Sequence, residues 1–167
     1  AMYPELERAV VLQSRWRALH GFLYQFSDFG RLPAAALQAL MAALEARQVA
    51  AGEAIVREGE PAGPMLILEA GRAVAWRQGP AGRERLAVYR RGDWFGERSF
   101  LLDEERAATV EALEDCALLE LPVVAARELC ERHPEFAQRL HERQALYRQS
   151  SSRLPLDFQE LLPAEAA

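Results

Sequence analysis

The segment DWFGERSFLLDEERAATV, from Asp93 to Val110, sets two ionic residues on either side of a short apolar run. Gly96 has no side chain, so the backbone beside it can approach a ligand closely. Successive N–H groups in a turn form a concave site for an anion, and the start of a helix at that turn strengthens the site. The segment is therefore the candidate ligand site of this chain.

Two of the ionic residues of this segment, Glu97 and Arg106, have complementary chemistry. Arg106 carries a planar and permanently charged guanidinium, which suits the oxygens of a phosphate. An ionised Glu97 only accepts hydrogen bonds, so it suits a hydroxyl donor such as a ribose 2′-OH. A phosphate and a ribose hydroxyl together describe a nucleotide. On chemistry alone, an ion pair between the two residues, or with solvent, is an equally open alternative.

The composition is that of one globular domain. The chain has 167 residues, of which 50% are hydrophobic and 27% are charged. Its net charge of −5 argues against a general nucleic-acid surface but leaves room for one small anion held by a local arginine. No apolar run is long enough to span a membrane, and the N-terminus lacks a signal-peptide pattern. With Cys116 and Cys130 in no metal-ligand spacing, we predict a reduced, cytoplasmic protein.

Helical patterns occupy both ends of the chain. In the N-terminal helical region, predicted as residues 1–46, the run YPELERAVVLQSRWRALHGFLYQF predicts a first helix, interrupted near Gly21. The run LPAAALQALMAALEARQ predicts a second helix, which extends two residues beyond that boundary. In residues 122–150 the apolar spacing predicts two more, broken at His133–Pro134. Residues 151–167 contain serines, prolines and small residues, which predicts a tail or linker.

Short strand-like runs separated by glycine, proline and acidic turns fill residues 47–121. The runs are EAIVR, MLILEA, RAVAWRQ, RLAVYR, AATVEAL and CALLEL. Several short strands at nearly regular spacing indicate a sandwich or a barrel. We predict an α+β fold, in which an antiparallel jelly-roll barrel of about eight strands lies between an N-terminal helical bundle and C-terminal helices.

The run FGERSFLLDEERAATV, residues 95–110, resembles the phosphate-binding cassette of the cyclic nucleotide-binding domain family. That family includes the regulatory subunits of cyclic AMP-dependent protein kinase and the bacterial catabolite activator protein. The resemblance extends upstream through VAAGEAIVREGEPAGPMLILEAGRAVAW and downstream into the helices after Pro122, which resemble the hinge and lid of the family. It implies a non-catalytic cyclic nucleotide-binding regulatory domain that couples ligand binding to movement of its C-terminal helices.

The resemblance also implies a role for each matching residue. Glu97 would accept the ribose 2′-OH, and Arg106 would pair with the exocyclic part of the cyclic phosphate. Leu86 aligns with an apolar strand position that touches the base. The remaining phosphate oxygens would be bound by the backbone N–H groups of Gly96, Arg98, Ser99 and Ala107.

Several positions depart from the family pattern or fall outside it. Arg98 stands where an aliphatic residue is usual, and Ser99 replaces the usual alanine. Ala107 lacks the hydroxyl that cyclic GMP-selective members offer to guanine, which favours cyclic AMP over cyclic GMP. For the lid over the base we select Tyr147 on the last helix, since an aromatic ring can stack on a purine.

A small barrel is also compatible with functions other than ligand sensing. A metal-dependent cupin enzyme would need several histidine or carboxylate ligands on strands, but His20, His133 and His141 all fall in predicted helices. We therefore predict no enzyme activity, no metal and no cofactor. A ligand-free dimerisation or docking module is one alternative, and the sensor part of a transcription regulator without its DNA-binding domain is another.

The last helix has an apolar face, which bears on whether the chain forms a dimer. Phe136, Leu140 and Tyr147 fall on or near one face in a helical projection. Such a face has to be covered either by the chain's own barrel or by the same helix of a second chain. We predict a symmetric homodimer formed through these C-terminal helices, with no direct binding of nucleic acid.

Overall fold

The computed structural model describes residues 4–149 of the chain, as an α+β fold. In this part the α-helices are α1 (Pro4–Phe26), α2 (Ala34–Ala43), α3 (Glu97–Leu102), α4 (Val123–Arg132) and α5 (Pro134–Gln149). The strands are β1 (Glu45–Val49), β2 (Ala54–Val56), β3 (Met65–Ala70), β4 (Ala73–Gly79), β5 (Gly82–Tyr89), β6 (Trp94–Phe95), β7 (Thr109–Ala112) and β8 (Cys116–Leu121). A short 3-10 helix at Asp28–Arg31 joins α1 to α2. The predicted tail, residues 151–167, lies outside the described residues.

The eight strands form two antiparallel sheets of four strands each. One sheet has the order β1-β8-β3-β6, and the other has the order β2-β7-β4-β5. The predicted antiparallel arrangement of eight strands is therefore confirmed. No strand pairing joins the two sheets within residues 4–149, so the closed barrel of the prediction is replaced by two separate sheets.

The interior of the chain has two apolar clusters. Side chains from both sheets form the first, including Leu66, Leu68, Phe95, Val110 and Leu118. The second joins the outer face of the β3–β6 sheet to the helices at both ends, and it includes Leu23, Phe29, Trp94, Phe136 and Leu140. Because successive residues of a strand point to opposite faces, β6 contributes Trp94 to one cluster and Phe95 to the other. β6, the strand directly before the candidate site, is thus packed against an apolar cluster on each of its two faces.

Two helix predictions near the N-terminus are wrong. The predicted second helix included EARQ, but α2 ends at Ala43 and the chain continues as β1. Pairing decides this, because Glu45–Val49 forms a complete antiparallel ladder with Cys116–Glu120, and Arg47 adds an ion pair to Glu120 at 2.8 Å. The predicted break near Gly21 is also absent, and α1 runs through it. A glycine costs a helix only about 1 kcal/mol, which its neighbours can offset.

The C-terminal helices form as predicted, with the break at His133–Pro134. The apolar face of α5, however, is covered by the chain itself. Phe136 and Leu140 are fully buried, and the Phe136 ring lies 5.7 Å from that of Phe29. For Phe136 and Leu140 the chain itself thus supplies the cover for which the predicted homodimer was invoked, while the Tyr147 side chain lies outside those described. The dimer stays a prediction without support from that face.

Candidate functional site

The candidate site begins where β6 turns into α3. Gly96 caps α3 with a φ of 88°, in the left-handed region that glycine adopts readily. The turn is anchored on both sides, since Trp94 and Phe95 before it and Phe100 after it are buried. The sequence pattern therefore produces a turn whose flanking side chains are packed in the interior, with Gly96 itself half-buried at the start of α3.

Arg106 returns across this turn, as the sequence predicts. Its Nη1 donates to the carbonyl oxygen of Gly96 and to the hydroxyl of Ser99, both at 3.0 Å. Its Nη2 donates to the carbonyl oxygen of Pro64 at 2.7 Å. The guanidinium is thus fixed by three acceptors from two separate segments of the chain, and the residue is only 7% exposed.

Two glycines make room for this guanidinium. A Cβ atom added to Gly96 would lie 2.7 Å from Arg106 Nη1, and one added to Gly63 would lie 2.9 Å from Arg106 Nη2. Both distances are shorter than a normal van der Waals contact. The missing side chains at these two positions are therefore what allows Arg106 to lie against the backbone.

The charge of Arg106 is not neutralised by a contacting carboxylate. No ion pair of Arg106 falls within 4.0 Å in the part of the chain that the structure describes. Burial lowers the pKa of Arg106, while the more distant carboxylates of Glu60, Glu97 and Glu120 raise it. An arginine remains charged in proteins, so this is a buried cation held only by neutral acceptors. A buried charge of this kind is stabilised by an anion.

Glu97 is the first residue of α3, and it is 3% exposed. Burial raises the pKa of its carboxyl, and the nearby Arg143, Gln144 and Arg106 oppose that rise. The Nε2 amide of Gln144, on α5, donates to Glu97 Oε1 at 3.3 Å. The carboxylate is therefore a buried acceptor, and one of its partners comes from the last helix.

A second contact of α5 lies beside the first. The guanidinium of Arg143 stacks on the ring of Trp94 and donates to the Trp94 carbonyl oxygen. Sequence reasoning missed Gln144 altogether and gave Arg143 no role at the site. Neither residue belongs to the cassette motif, and only the packing of α5 against β6 and α3 brings them there.

The other predicted residues are distributed around this centre. Ser99 is buried in contact with Arg106, whereas Arg98 is exposed and pairs with Glu104 at 3.3 Å. Ala107 is exposed next to Arg106, and Leu86 is half-buried on β5 against the apolar cluster between the sheets. Tyr147 belongs to α5, but its side chain is outside those that the structure describes.

The described residues also bear on a metal site and on a membrane-spanning helix. Within residues 4–149 there is no group of three or more histidine, cysteine, aspartate or glutamate residues that could hold a metal ion. The same residues contain no helix with the length and apolar character needed to cross a membrane.

Comparison with known proteins identifies the family of the chain. Residues 46–133 match the model of the cyclic nucleotide-binding domain family. The chain is 33% identical over 111 residues to a cAMP-dependent protein kinase regulatory subunit of Hypocrea atroviridis, a match that covers 65% of this chain and 23% of that protein. It thus spans about a quarter of that relative's length.

Two solved structures share the fold. The regulatory domain of Toxoplasma gondii PKA, crystallised with cAMP, superposes with a TM-score of 0.72 at 27% identity, covering 81% of this chain and 51% of that one. The catabolite activator protein of Thermus thermophilus gives a TM-score of 0.69 at 25% identity, covering 80% and 62%. The matched residues 46–133 include the turn that holds Glu97 and Arg106. The chain therefore belongs to the cyclic nucleotide-binding domain family.

Proposed function

We propose that this chain is a sensor that binds cyclic AMP in preference to cyclic GMP. Arg106 pairs with the cyclic phosphate, Glu97 accepts the ribose 2′-OH, and the backbone N–H groups around Gly96 bind further phosphate oxygens. Leu86 touches the base, and Ala107 offers no hydroxyl to a guanine. Binding moves α4 and α5, and in the bound state Tyr147 covers the base.

The observation that carries this proposal is the burial and hydrogen bonding of Arg106. Its guanidinium is buried, fixed by three neutral acceptors and without a contacting carboxylate among the described residues. Removing a charged group from water is costly unless a counter-charge replaces the lost hydration. A phosphate monoanion supplies that charge, and the fork of the guanidinium matches its oxygens.

Movement of the C-terminal helices is supported by the contacts of α5. Gln144 bonds to the carboxylate that the ribose would use, and Arg143 lies on the residue two positions before Gly96. A ligand shifts a conformational equilibrium only through different contacts with the two states. A ribose at Glu97 changes a contact of α5 directly, so the site and the helix are coupled.

A second candidate is a ligand-free docking module of the same fold. It is favoured by one observation, namely that both polar anchors already have partners within the chain. Such internal bonds would make a ligand unnecessary for the stability of the fold. The two candidates differ in one simple property, the response of the folded chain to added nucleotide.

Thermal unfolding with increasing cyclic nucleotide tests the choice. A ligand that binds only the folded state stabilises it by about 2.7 kcal/mol at a hundred times its dissociation constant. We expect the melting temperature to rise with cyclic AMP, to rise less at equal concentrations of cyclic GMP, and least with linear 5′-AMP. An unchanged melting temperature with millimolar cyclic AMP would favour the docking module.

A further inference from the structure

Gln144 is a polar residue within the otherwise apolar inner face of α5. Phe136, Leu140 and Gln144 follow each other at intervals of four residues, so they lie along one side of the helix. Phe136 and Leu140 are fully buried, and Gln144 is 7% exposed. Packing of the two apolar residues therefore fixes the rotation of α5 that directs Gln144 to Glu97.

The contact that results joins a buried amide to a buried carboxylate. Gln144 Nε2 donates to Glu97 Oε1 at 3.3 Å, and Glu97 is 3% exposed. Buried polar groups require such partners, because an unsatisfied group retains its full desolvation penalty. Gln144 thus satisfies the group that the proposed function assigns to the ribose.

The ribose 2′-OH of the proposed function and the Gln144 amide are both hydrogen-bond donors to one buried carboxylate, that of Glu97. We infer that they compete: Gln144 is an internal substitute for the ribose hydroxyl, and cyclic AMP must displace it from Glu97. Gln144 then limits the affinity for cyclic AMP and reduces the discrimination between ribose and 2′-deoxyribose. This inference rests on the proposed function of the site.

The effect of Gln144 on the affinity for cyclic AMP depends on the hydrogen-bond partners of Glu97. With Gln144 present, binding of the ribose exchanges one hydrogen bond of the carboxylate for another, so the gain is small. With Gln144 replaced by a side chain that cannot donate, Glu97 lacks this partner until the ribose arrives. Cyclic AMP should then bind about 3- to 10-fold more tightly, the range expected for one buried hydrogen bond. A 2′-deoxy ligand cannot replace the amide and gains nothing.

The experiment compares Gln144→Met with Gln138→Met by calorimetric titration with cyclic AMP and with 2′-deoxy cyclic AMP. Methionine is close to glutamine in size and has no amide. Gln138 is the matched control, because it lies on the same helix but is exposed and bonds to Glu142 at 3.1 Å, away from Glu97. We expect Gln144→Met to raise the affinity ratio of cyclic AMP to its 2′-deoxy analogue about 3- to 10-fold, and Gln138→Met to leave it unchanged.

Other results overturn the inference. Weaker binding of cyclic AMP to Gln144→Met would mean that Gln144 stays on Glu97 as part of a lid. Equal changes for both ligands would mean that it only packs α5. If Gln144→Met does not fold, Gln144→Ala allows the same comparison. A wild-type chain that binds no cyclic AMP overturns the proposed function as well, whereas wild-type binding with an unchanged ratio in the variant overturns this inference alone.

Discussion

The guanidinium carbon of Arg143 lies 3.4 Å from the ring centroid of Trp94, and the same guanidinium donates to the Trp94 carbonyl oxygen. On its other side, the Trp94 indole N–H donates to Asp28 Oδ1 at 2.9 Å. Asp28 in turn forms an ion pair with Arg139 of α5 at 3.6 Å. One ring directly before the candidate site therefore links α5 to the N-terminal helices.

The first prediction concerns the docking of α5. Arg143→Met keeps an aliphatic chain but removes both the cation over the ring and the donor to the carbonyl. We expect the free energy of unfolding to fall by about 1–3 kcal/mol, from the lost cation–π contact and hydrogen bond. Urea denaturation measures this. Arg132→Met on α4 is the control, because Arg132 is exposed and its ion pair is a surface pair with Glu128, so it should change stability by less than about 0.5 kcal/mol.

The second prediction separates stability from binding at Glu97. Burial raises the pKa of this carboxyl, so the ionised form is disfavoured in the folded chain. Glu97→Gln keeps the shape and an acceptor oxygen but removes the charge. We expect the melting temperature of the ligand-free variant to match or exceed that of the wild type. The affinity for cyclic AMP should fall about tenfold, since a hydrogen bond to a charged acceptor is stronger.

The raised pKa of Glu97 also predicts the direction in which the stability of the fold changes with pH. A carboxyl whose pKa is raised in the folded state stabilises the fold below its unfolded pKa, and that contribution is lost as the pH rises through the folded pKa. Glu97→Gln has no such loss. The stability of the wild type should therefore decline relative to the variant as the pH is raised from acid towards neutral. An opposite trend in paired urea denaturation series would show that the charge of Glu97 is well compensated.

The third prediction tests the space around Arg106. Gly63→Ala puts a methyl group 2.9 Å from Arg106 Nη2, so the guanidinium must shift away from the Pro64 carbonyl. The shift weakens a hydrogen bond of a buried cation, so we expect a loss of stability of about 1–3 kcal/mol together with weaker binding of cyclic AMP. Gly21→Ala is the control, since no atom lies within 4 Å of its added Cβ. It should stabilise α1 by about 0.5–1 kcal/mol and leave binding unchanged. Equal binding by both variants would show that the position of Arg106 is unimportant.

The sequence predicted the parts of the fold and the site that depend on local pattern. Glycines at turns and alternating apolar residues located most strands, and the cassette motif located Glu97 and Arg106. Strand β6 was missed because two residues carry no periodic signal. β1 was missed because EARQ contains good helix formers, and only its pairing with β8 makes it a strand.

The contact between Gln144 and Glu97 is the clearest feature of the site that the sequence could not predict. Its distance of 47 residues from Glu97 in the chain is bridged only by the packing of α5. The same packing placed Phe136 and Leu140 in the interior, where a helical projection alone left a dimer open. Both outcomes depend on where a helix docks, which its own periodicity does not specify.

Calorimetric titration of Arg106→Ala with cyclic AMP tests the central claim most directly. Loss of a charge-assisted contact to the phosphate should cost about 2–4 kcal/mol, which weakens binding tens- to several-hundred-fold. Arg77→Ala should leave the affinity unchanged, because Arg77 is exposed on β4 and pairs with Glu84. Binding of cyclic AMP to Arg106→Ala with wild-type affinity would contradict the account, because the phosphate would then be held elsewhere.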